Sequence, residues 1–301
     1  MKKKTVIIEI GSNNTKTYFY EGNKEQDCIT TTIEFKKNYN NNKEVSQSDL
    51  KKLYKVIENA KKYTEDIHMY GCSIFRNMTK KELEDINKEL SEKYNLNIEV
   101  VSQEEEADYT ALGCYANIKY RGNICIYING GGSIELVLVR NGKILTKKYY
   151  NFGVVDITKT FPSLKDDIPT CTFTEVYEYI DSLMNDIDFK ANVFILAGGD
   201  HLYWYNNARY KLLKNTIYDR YNQPYMLTKK MNDEYDRDAL VTSMNKIRER
   251  SDNPLWFDGS RAVKTITNYI SHKINAKYII PTKINMADGI KSILDKKEEL
   301  K

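Results

Sequence analysis

Apolar residues fall in short runs broken by polar turns, and the spacing within the runs switches between the periods of strands and helices. Lys4 to Ile10 (Lys-Thr-Val-Ile-Ile-Glu-Ile) reads as a buried strand that ends in the turn Gly11-Ser12-Asn13-Asn14. Thr15 to Tyr20 reads as the next strand and Glu21-Gly22-Asn23 as a hairpin turn, with the Thr- and Ile-rich stretch Ile29 to Phe35 as a third strand. A polar Asn/Lys loop from Lys37 to Glu44 leads to a helix predicted over about 47–64, and Ser46-Gln47-Ser48-Asp49 supplies its N-cap candidates. A short strand from Ile67 to Tyr70 follows. Thr79 caps a charged helix running to Tyr94, in which Leu83, Ile86 and Leu90 recur at helical spacing. A strand from Ile98 to Val101 and a helix from Glu104 to Ala116 complete this part of the pattern.

At about residue 120 the cycle restarts. Ile124 to Ile128 reads as a strand, Gly130-Gly131-Gly132-Ser133 as a loop, and Ile134 to Val139 as a second strand. Asn141-Gly142 is the two-residue turn that type I′ geometry favours, and Lys143 to Tyr150 returns as a third strand. A helix at about 173–186 and a strand from Val193 to Leu196 lead to Ala197-Gly198-Gly199-Asp200. Helices at about 232–249 and 259–274, a strand at 277–280 and a helix at about 287–299 finish the chain, while the Tyr- and Asn-rich residues 201–225 give no pattern. The strand–loop–hairpin unit of residues 4–35 therefore occurs twice. That repetition predicts two α/β lobes, residues 1–118 and 119–301, with the terminal helix packing back on the first. No low-complexity linker separates the lobes, so they are expected to meet across a cleft.

Composition narrows the class more than it identifies chemistry. Among 301 residues, Lys+Arg 46 against Asp+Glu 42 gives a net charge of +4, which suits an anionic ligand and falls far short of a nucleic-acid-binding footprint. No DNA partner is expected. No run approaches the ~18 apolar residues of a membrane span, and the N-terminal apolar stretch is too short for a signal-peptide core. The five cysteines, Cys28, Cys72, Cys114, Cys125 and Cys171, are scattered without a CxxC pair. Reduced, buried thiols in a cytoplasmic protein account for them. His68, His201 and His272 have no metal-ligand spacing.

Four segments carry candidate chemistry. In Glu9-Ile10-Gly11-Ser12-Asn13-Asn14-Thr15-Lys16, a strand delivers a carboxylate into a small-residue turn. Such a turn offers backbone N–H groups and hydroxyls to a phosphate, and the carboxylate can hold hydrated Mg²⁺ beside it. Taken alone, Gly-Ser-Asn is an everyday hairpin turn. Ile128-Asn129-Gly130-Gly131-Gly132-Ser133 places three glycines between two strands, which marks a close backbone approach or a bulged turn. Ser102-Gln103-Glu104-Glu105-Glu106-Ala107 puts three acids in a first helical turn, where the helix dipole favours them in any case. One of the three aimed at a ligand could polarise an attacking water, and composition does not choose which. Arg76, after the strand that ends near Gly71, is by default a surface residue; near phosphate loops it would clamp a phosphoryl oxygen.

In this order the four segments resemble the exopolyphosphatase/guanosine pentaphosphate phosphatase (Ppx/GppA) family. Its Asp-Ile-Gly-Ser-Asn-Ser-x-Arg element corresponds to Glu9 to Lys16, and its Thr-Ser-Ala-x-Arg element to Cys72 to Arg76. The family's Ser-Gly-x-Glu-Glu-Ala segment matches Ser102 to Ala107, and Asp-Ile-Gly-Gly-Gly-Ser-Thr-Glu-Leu matches Ile128 to Leu136. Ala197-Gly198-Gly199 resembles the later Gly-Gly-Thr loop, and Ala287-Asp288-Gly289-Ile290 the terminal Asp-Gly region. The resemblance implies an α/β, two-lobed, actin-like fold (ribonuclease H-like, of the hexokinase, actin and Hsp70 superfamily) with an interdomain cleft. It implies removal of terminal phosphate from polyphosphate or guanosine pentaphosphate with Mg²⁺ or Mn²⁺, guanosine penta- or tetraphosphate as binding partners, a short two-domain form, and a homodimer. By the same resemblance Glu106 is the catalytic base and Arg76 its partner on phosphate. Phosphate contacts fall on Gly11, Ser12, Asn13, Lys16, Gly130, Gly131, Gly132, Ser133, Gly198 and Gly199.

The departures from the family pattern fall on the metal site. The first aspartate is Glu9, which keeps the charge on a longer arm. The second falls on Ile128, with Asn129 beside it on the opposite face of the strand. Gln103 replaces a glycine, and Asp200 replaces the threonine of the third loop. Glu9, Asp200 and Asn129 are therefore the metal-ligand candidates, with Asp200 supplying the carboxylate that Ile128 lacks. Two alternatives to a hydrolase remain: a phosphate-polymer or alarmone-binding regulatory protein without turnover, and an actin-like ATPase or kinase.

Overall fold

The computed structural model describes residues 2–11, 14–35, 38–39, 44–116, 118, 120–217, 223–249 and 254–299. The chain divides into two compact units, Met1–Tyr109 with Met286–Lys301, and Thr110–Asn285.

In the first unit, strands β1 (Lys4–Ile10), β2 (Asn14–Glu21) and β3 (Lys24–Thr32) form an antiparallel meander, and β4 (Ile67–Gly71) and β5 (Ile98–Val100) extend it in parallel, giving the order β3-β2-β1-β4-β5. β1 is buried on both faces, as its continuous apolar run requires of a central strand. Val6, Ile8 and Ile10 pack with Leu53 and Ile57 of α1 (Gln47–Lys61) and with Ile86 and Leu90 of α3 (Lys80–Tyr94). Ile7 faces the other way, toward Tyr18, Tyr20, Val101, Ala287 and Ile290. Ser46 caps α1 by accepting from Ser48 N–H, and Thr79 and Glu82 close a capping box on α3, as the sequence signals predict.

The terminal helix α11 (Met286–Glu299) crosses α4 (Gln103–Tyr115) at Gly289. A Cβ there would lie 1.7 Å from the Tyr109 carbonyl oxygen, so the helices meet backbone to backbone. Gly289→Ala is expected to force them apart and cost on the order of 3 kcal/mol, seen as a lowered urea midpoint. An unchanged midpoint would contradict this packing.

The second unit repeats the plan. β6 (Asn123–Asn129), β7 (Ile134–Arg140) and β8 (Lys143–Tyr150) form an antiparallel meander, and β9 (Val193–Leu196) and β12 (Tyr278–Pro281) continue it in parallel beside β6. β10 (Leu213–Lys214) and β11 (Tyr225–Thr228) lengthen the sheet to the order β10-β11-β12-β9-β6-β7-β8. The order β8-β7-β6-β9-β12 thus reproduces β3-β2-β1-β4-β5. Each is the ribonuclease H-like order, and its occurrence twice in one chain is the actin-like fold. Asn141 and Gly142 have φ of 53° and 71°, the type I′ turn expected between β7 and β8.

Four stretches differ from the sequence expectation. The third strand starts at Lys24 and ends at Thr32, because it is an exposed edge strand in which Glu25, Gln26 and Asp27 are at home. Phe35, expected as its last residue, instead plugs the core. The predicted helix at 232–249 is two helices, α8 (Lys229–Val241) and α9 (Met244–Arg248), broken where Ser243 caps α9. Residues 154–160, given no element from sequence, form α5 (Val154–Thr160); and the unassigned Tyr-rich stretch begins with α7 (Asp200–Asn207). All five cysteines are free thiols, and no described helix is long and apolar enough to cross a membrane.

Candidate functional site

Strand alternation puts Glu9 on the face of Ile7, away from the Val6–Ile8–Ile10 core. Lys16 is its cross-strand partner, and Tyr18 Oη donates to Glu9 Oε2 at 3.4 Å. Burial raises the Glu9 pKa above the ordinary carboxylate value; Lys16 opposes the rise and the negative charge of Glu106 adds to it. Beyond the strand, Gly11 N–H donates to the Asn14 carbonyl at 3.0 Å and closes the turn. Ser12 and Asn13, the predicted phosphate contacts at its tip, lie outside the described residues.

Arg76 ends a one-turn helix, α2 (Ser73–Arg76), rather than lying loose after the strand. Its Nη1 donates to the Val101 carbonyl at 2.9 Å and to Glu106 Oε2 at 3.0 Å. These contacts separate the three acids that sequence could not. Glu105 accepts from Ser102 N–H at 2.8 Å while Ser102 Oγ accepts from Glu105 N–H at 3.1 Å, a capping box that holds its carboxyl below the usual range. Glu104 is exposed, and the half-buried Glu106 alone of the three pairs with Arg76. Cys72, which begins the Cys72 to Arg76 element, is buried beside this group. Burial, reinforced by Glu106 and Glu9, pushes its thiol well up, so it is protonated at neutral pH.

In the second unit the glycine loop closes the same way as the first turn. Gly130 N–H donates to the Ser133 carbonyl at 2.9 Å, which leaves the amides of Gly131, Gly132 and Ser133 outside that bond. The ladder between β6 and β7 runs without a bulge to Asn129, so Asn129 does not take over the position of Ile128. Ile128 corresponds to Glu9 in register, and its cross-strand partner is the buried Glu135, where Glu9 faces Lys16. Sequence gave no sign that the start of α5 packs on this loop. Val155 N–H donates to the Gly131 carbonyl at 2.9 Å, Gly153 N–H donates to Asp156 Oδ2 at 3.0 Å, and a Cβ on Gly153 would lie 2.5 Å from the Gly130 oxygen.

Gly198 and Gly199 have φ of 91° and 93°, and their N–H groups bond the carbonyls of Ile284 and Thr282. They deliver the chain into α7, whose first residue, Asp200, is exposed. The residues that line this region beyond the motifs are His201, Trp204, Ser260 and Val263. The hint of them in the sequence is that His201 and Trp204 lie shortly after the Gly198-Gly199-Asp200 turn.

Among the described residues no group of three or more His, Cys, Asp or Glu side chains gathers as a metal cluster. The donor chemistry around Glu9 nevertheless fits a hard cation. Glu9 and Glu106 feel each other's charge, and Mg²⁺ is commonly held by one or two carboxylates together with substrate phosphates.

A family model described as the Ppx/GppA phosphatase family matches residues 28–198, a span that includes Arg76, Glu106 and the glycine loop. The chain belongs to the Ppx/GppA phosphatase family, as the order of its motifs implied. Among solved structures, a Ppx/GppA family member from Aquifex aeolicus shares 17% identity over 99% of both chains, with a TM-score of 0.77. The type II variant of the Aquifex aeolicus Ppx/GppA phosphatase shares 15% identity over 96% of this chain and 98% of that one, with a TM-score of 0.80. An exopolyphosphatase from Cytophaga hutchinsonii shares 12% identity over 98% of each chain, with a TM-score of 0.72. These likenesses concern the fold. No curated protein sequence matches the chain.

Proposed function

We propose that the chain is a phosphoanhydride hydrolase that releases terminal phosphate from inorganic polyphosphate or guanosine pentaphosphate. The observation that carries this reading is Glu106 held by Arg76 within the unit that also presents Glu9. Glu106 takes the proton of the attacking water as the new P–O bond forms; the bond to the leaving phosphate breaks, and its electrons leave with that group. Arg76 draws a phosphoryl oxygen by charge-assisted hydrogen bonding, and a phosphate seated there competes for the bond that Arg76 gives Glu106 without ligand. Lys16 holds a further phosphate oxygen in the first unit, and the amides of Gly131, Gly132 and Ser133 make a phosphate-binding turn of the second. Glu9 would hold Mg²⁺ or Mn²⁺, with Asp200 as the further carboxylate candidate; the ion would supply charge neutralisation on phosphate oxygens.

Ile128 favours a second reading, a phosphate-polymer or alarmone binder without turnover, because it removes a carboxylate from the position that corresponds to Glu9. Ile128→Asp bears on this directly. The new carboxylate would stand opposite Glu135, so the variant is expected to unfold more readily in EDTA and to be rescued by Mg²⁺. The Mg²⁺ concentration for half-maximal phosphate release should fall about tenfold. Equal stability in EDTA and Mg²⁺ would count against a metal at this position.

The proposal is tested by phosphate release from medium-chain polyphosphate and from guanosine pentaphosphate, with Mg²⁺ and with EDTA. Release from either compound that EDTA abolishes is the expected result. A folded protein that binds either compound and releases nothing contradicts the hydrolase and supports the regulatory reading.

A further inference from the structure

Beside the glycine loop, the second unit holds a cavity of about 410 Å³, within the range of roughly 300–1,000 Å³ typical of small-molecule sites. Its walls are largely apolar, formed by Val154 and Val155 of α5, Trp204 of α7 and Val263 of α10 (Ser260–Lys273). Gly130 and Gly131 form another side of it. Four polar atoms on lining residues are buried and find no hydrogen-bond partner among the described residues: Asn129 Oδ1, His201 Nε2, Trp204 Nε1 and Ser260 Oγ. His201, Trp204 and Ser260 are 3%, 2% and 3% exposed.

Buried polar groups in folded proteins are nearly always satisfied, so four unsatisfied ones on a single cavity point to a ligand that completes them. The buried Nε2 of His201 adds an unpaired ring nitrogen to the wall. With the indole N–H, the Ser260 hydroxyl and the Asn129 carbonyl oxygen, the wall offers both donors and acceptors, and its charged member is the acidic Asp200. Inorganic polyphosphate has no apolar face for the valines and the indole. A planar, uncharged ring with a mixed hydrogen-bonding edge has both.

We infer that this cavity receives the purine base of a nucleoside polyphosphate whose phosphates lie along Gly130 to Gly132. This rests on the phosphate-handling role proposed for the glycine loop, and it makes a nucleoside polyphosphate, rather than the inorganic polymer, the preferred substrate class.

Guanosine and adenosine titrated into the wild-type protein test the pocket without turnover. Either nucleoside is expected to change the tryptophan fluorescence, and the change should disappear in Trp204→Phe. No change with either nucleoside overturns the inference. In turnover, Val263→Trp fills the cavity; the ratio of kcat/KM for guanosine pentaphosphate to that for tripolyphosphate should fall at least tenfold. Ser260→Ala removes one hydroxyl and should lower the same ratio about fivefold, which covers the case of a tryptophan variant that does not fold. Ratios unchanged in both variants overturn the inference. If the wild type hydrolyses neither compound, the hydrolase reading fails and the nucleoside titration still decides the pocket. Release from tripolyphosphate without nucleoside binding overturns the pocket and leaves the hydrolase standing.

Discussion

Glu106→Gln is expected to lower the rate of phosphate release by about 10²–10⁴-fold, the range over which a positioned general base accelerates proton transfer. Glutamine keeps the length and shape of the side chain, and its amide oxygen can still accept from Arg76 Nη1, now 3.0 Å from Glu106 Oε2. The fold and the position of Arg76 should survive, so the loss should fall on kcat with little change in KM. Glu105→Gln provides the contrast. Glu105 is committed to the capping box with Ser102, a role that glutamine also fills, so its replacement should cost little stability and little turnover. Comparable losses of kcat in the two variants would show that the Arg76 contact does not distinguish the base.

Lys264→Met should cost the second unit about 3–5 kcal/mol, the usual penalty for stripping one partner from a buried ion pair. Lys264 is fully buried, with Nζ 3.6 Å from Asp236 Oδ1 and 3.8 Å from the centre of the Tyr205 ring. Asn232 Nδ2 and Asn268 Nδ2 donate to Asp236 Oδ2 at 2.6 and 3.2 Å. Burial pushes Asp236 up and Lys264 down, each toward its neutral form, so the pair coexists with a standing desolvation cost. Without Lys264, Asp236 loses the charge that opposes its upward shift. Its folded pKa then lies further above the unfolded value, so the folded state holds the proton more tightly and stability falls as pH rises through that interval. The deficit against wild type, read by urea unfolding, should therefore be larger at pH 8 than at pH 5. Adding Asp236→Asn to Lys264→Met should recover part of it. A deficit that is independent of pH and unrelieved in the double variant would place the cost in lost packing instead.

The two meanders are legible in the sequence because their strands are short apolar runs bounded by Gly, Asn and Glu turns. The Asn141-Gly142 hairpin is legible to the residue. The third strand is misplaced because an exposed edge tolerates Lys24 to Asp27, and polarity hides such a strand from a search for buried ones. Val154-Val155-Asp156-Ile157-Thr158 carries four β-branched residues, which lean toward strand; packing of Gly153 and Val155 on the glycine loop makes it a helix. At the site, the strand-end carboxylate, the two turns and Arg76 can be found from residue types and spacing. The choice among Glu104, Glu105 and Glu106 cannot, since all three satisfy the helix dipole equally, and only the contacts with Ser102 and Arg76 separate them. His201, Trp204 and Ser260 come from α7 and α10, far apart in the chain, and topology alone brings them to one cavity.

In the proposed hydrolase, water activated at Glu106 attacks the terminal phosphorus of a phosphoanhydride. Phosphate release from guanosine pentaphosphate and from polyphosphate in ¹⁸O-enriched water, with Mg²⁺ present, tests it most directly. One labelled oxygen in each released phosphate, and label-bearing release suppressed in Glu106→Gln, is the predicted result. Release equally fast from Glu106→Gln, or no labelled phosphate from a folded wild-type protein, would contradict it.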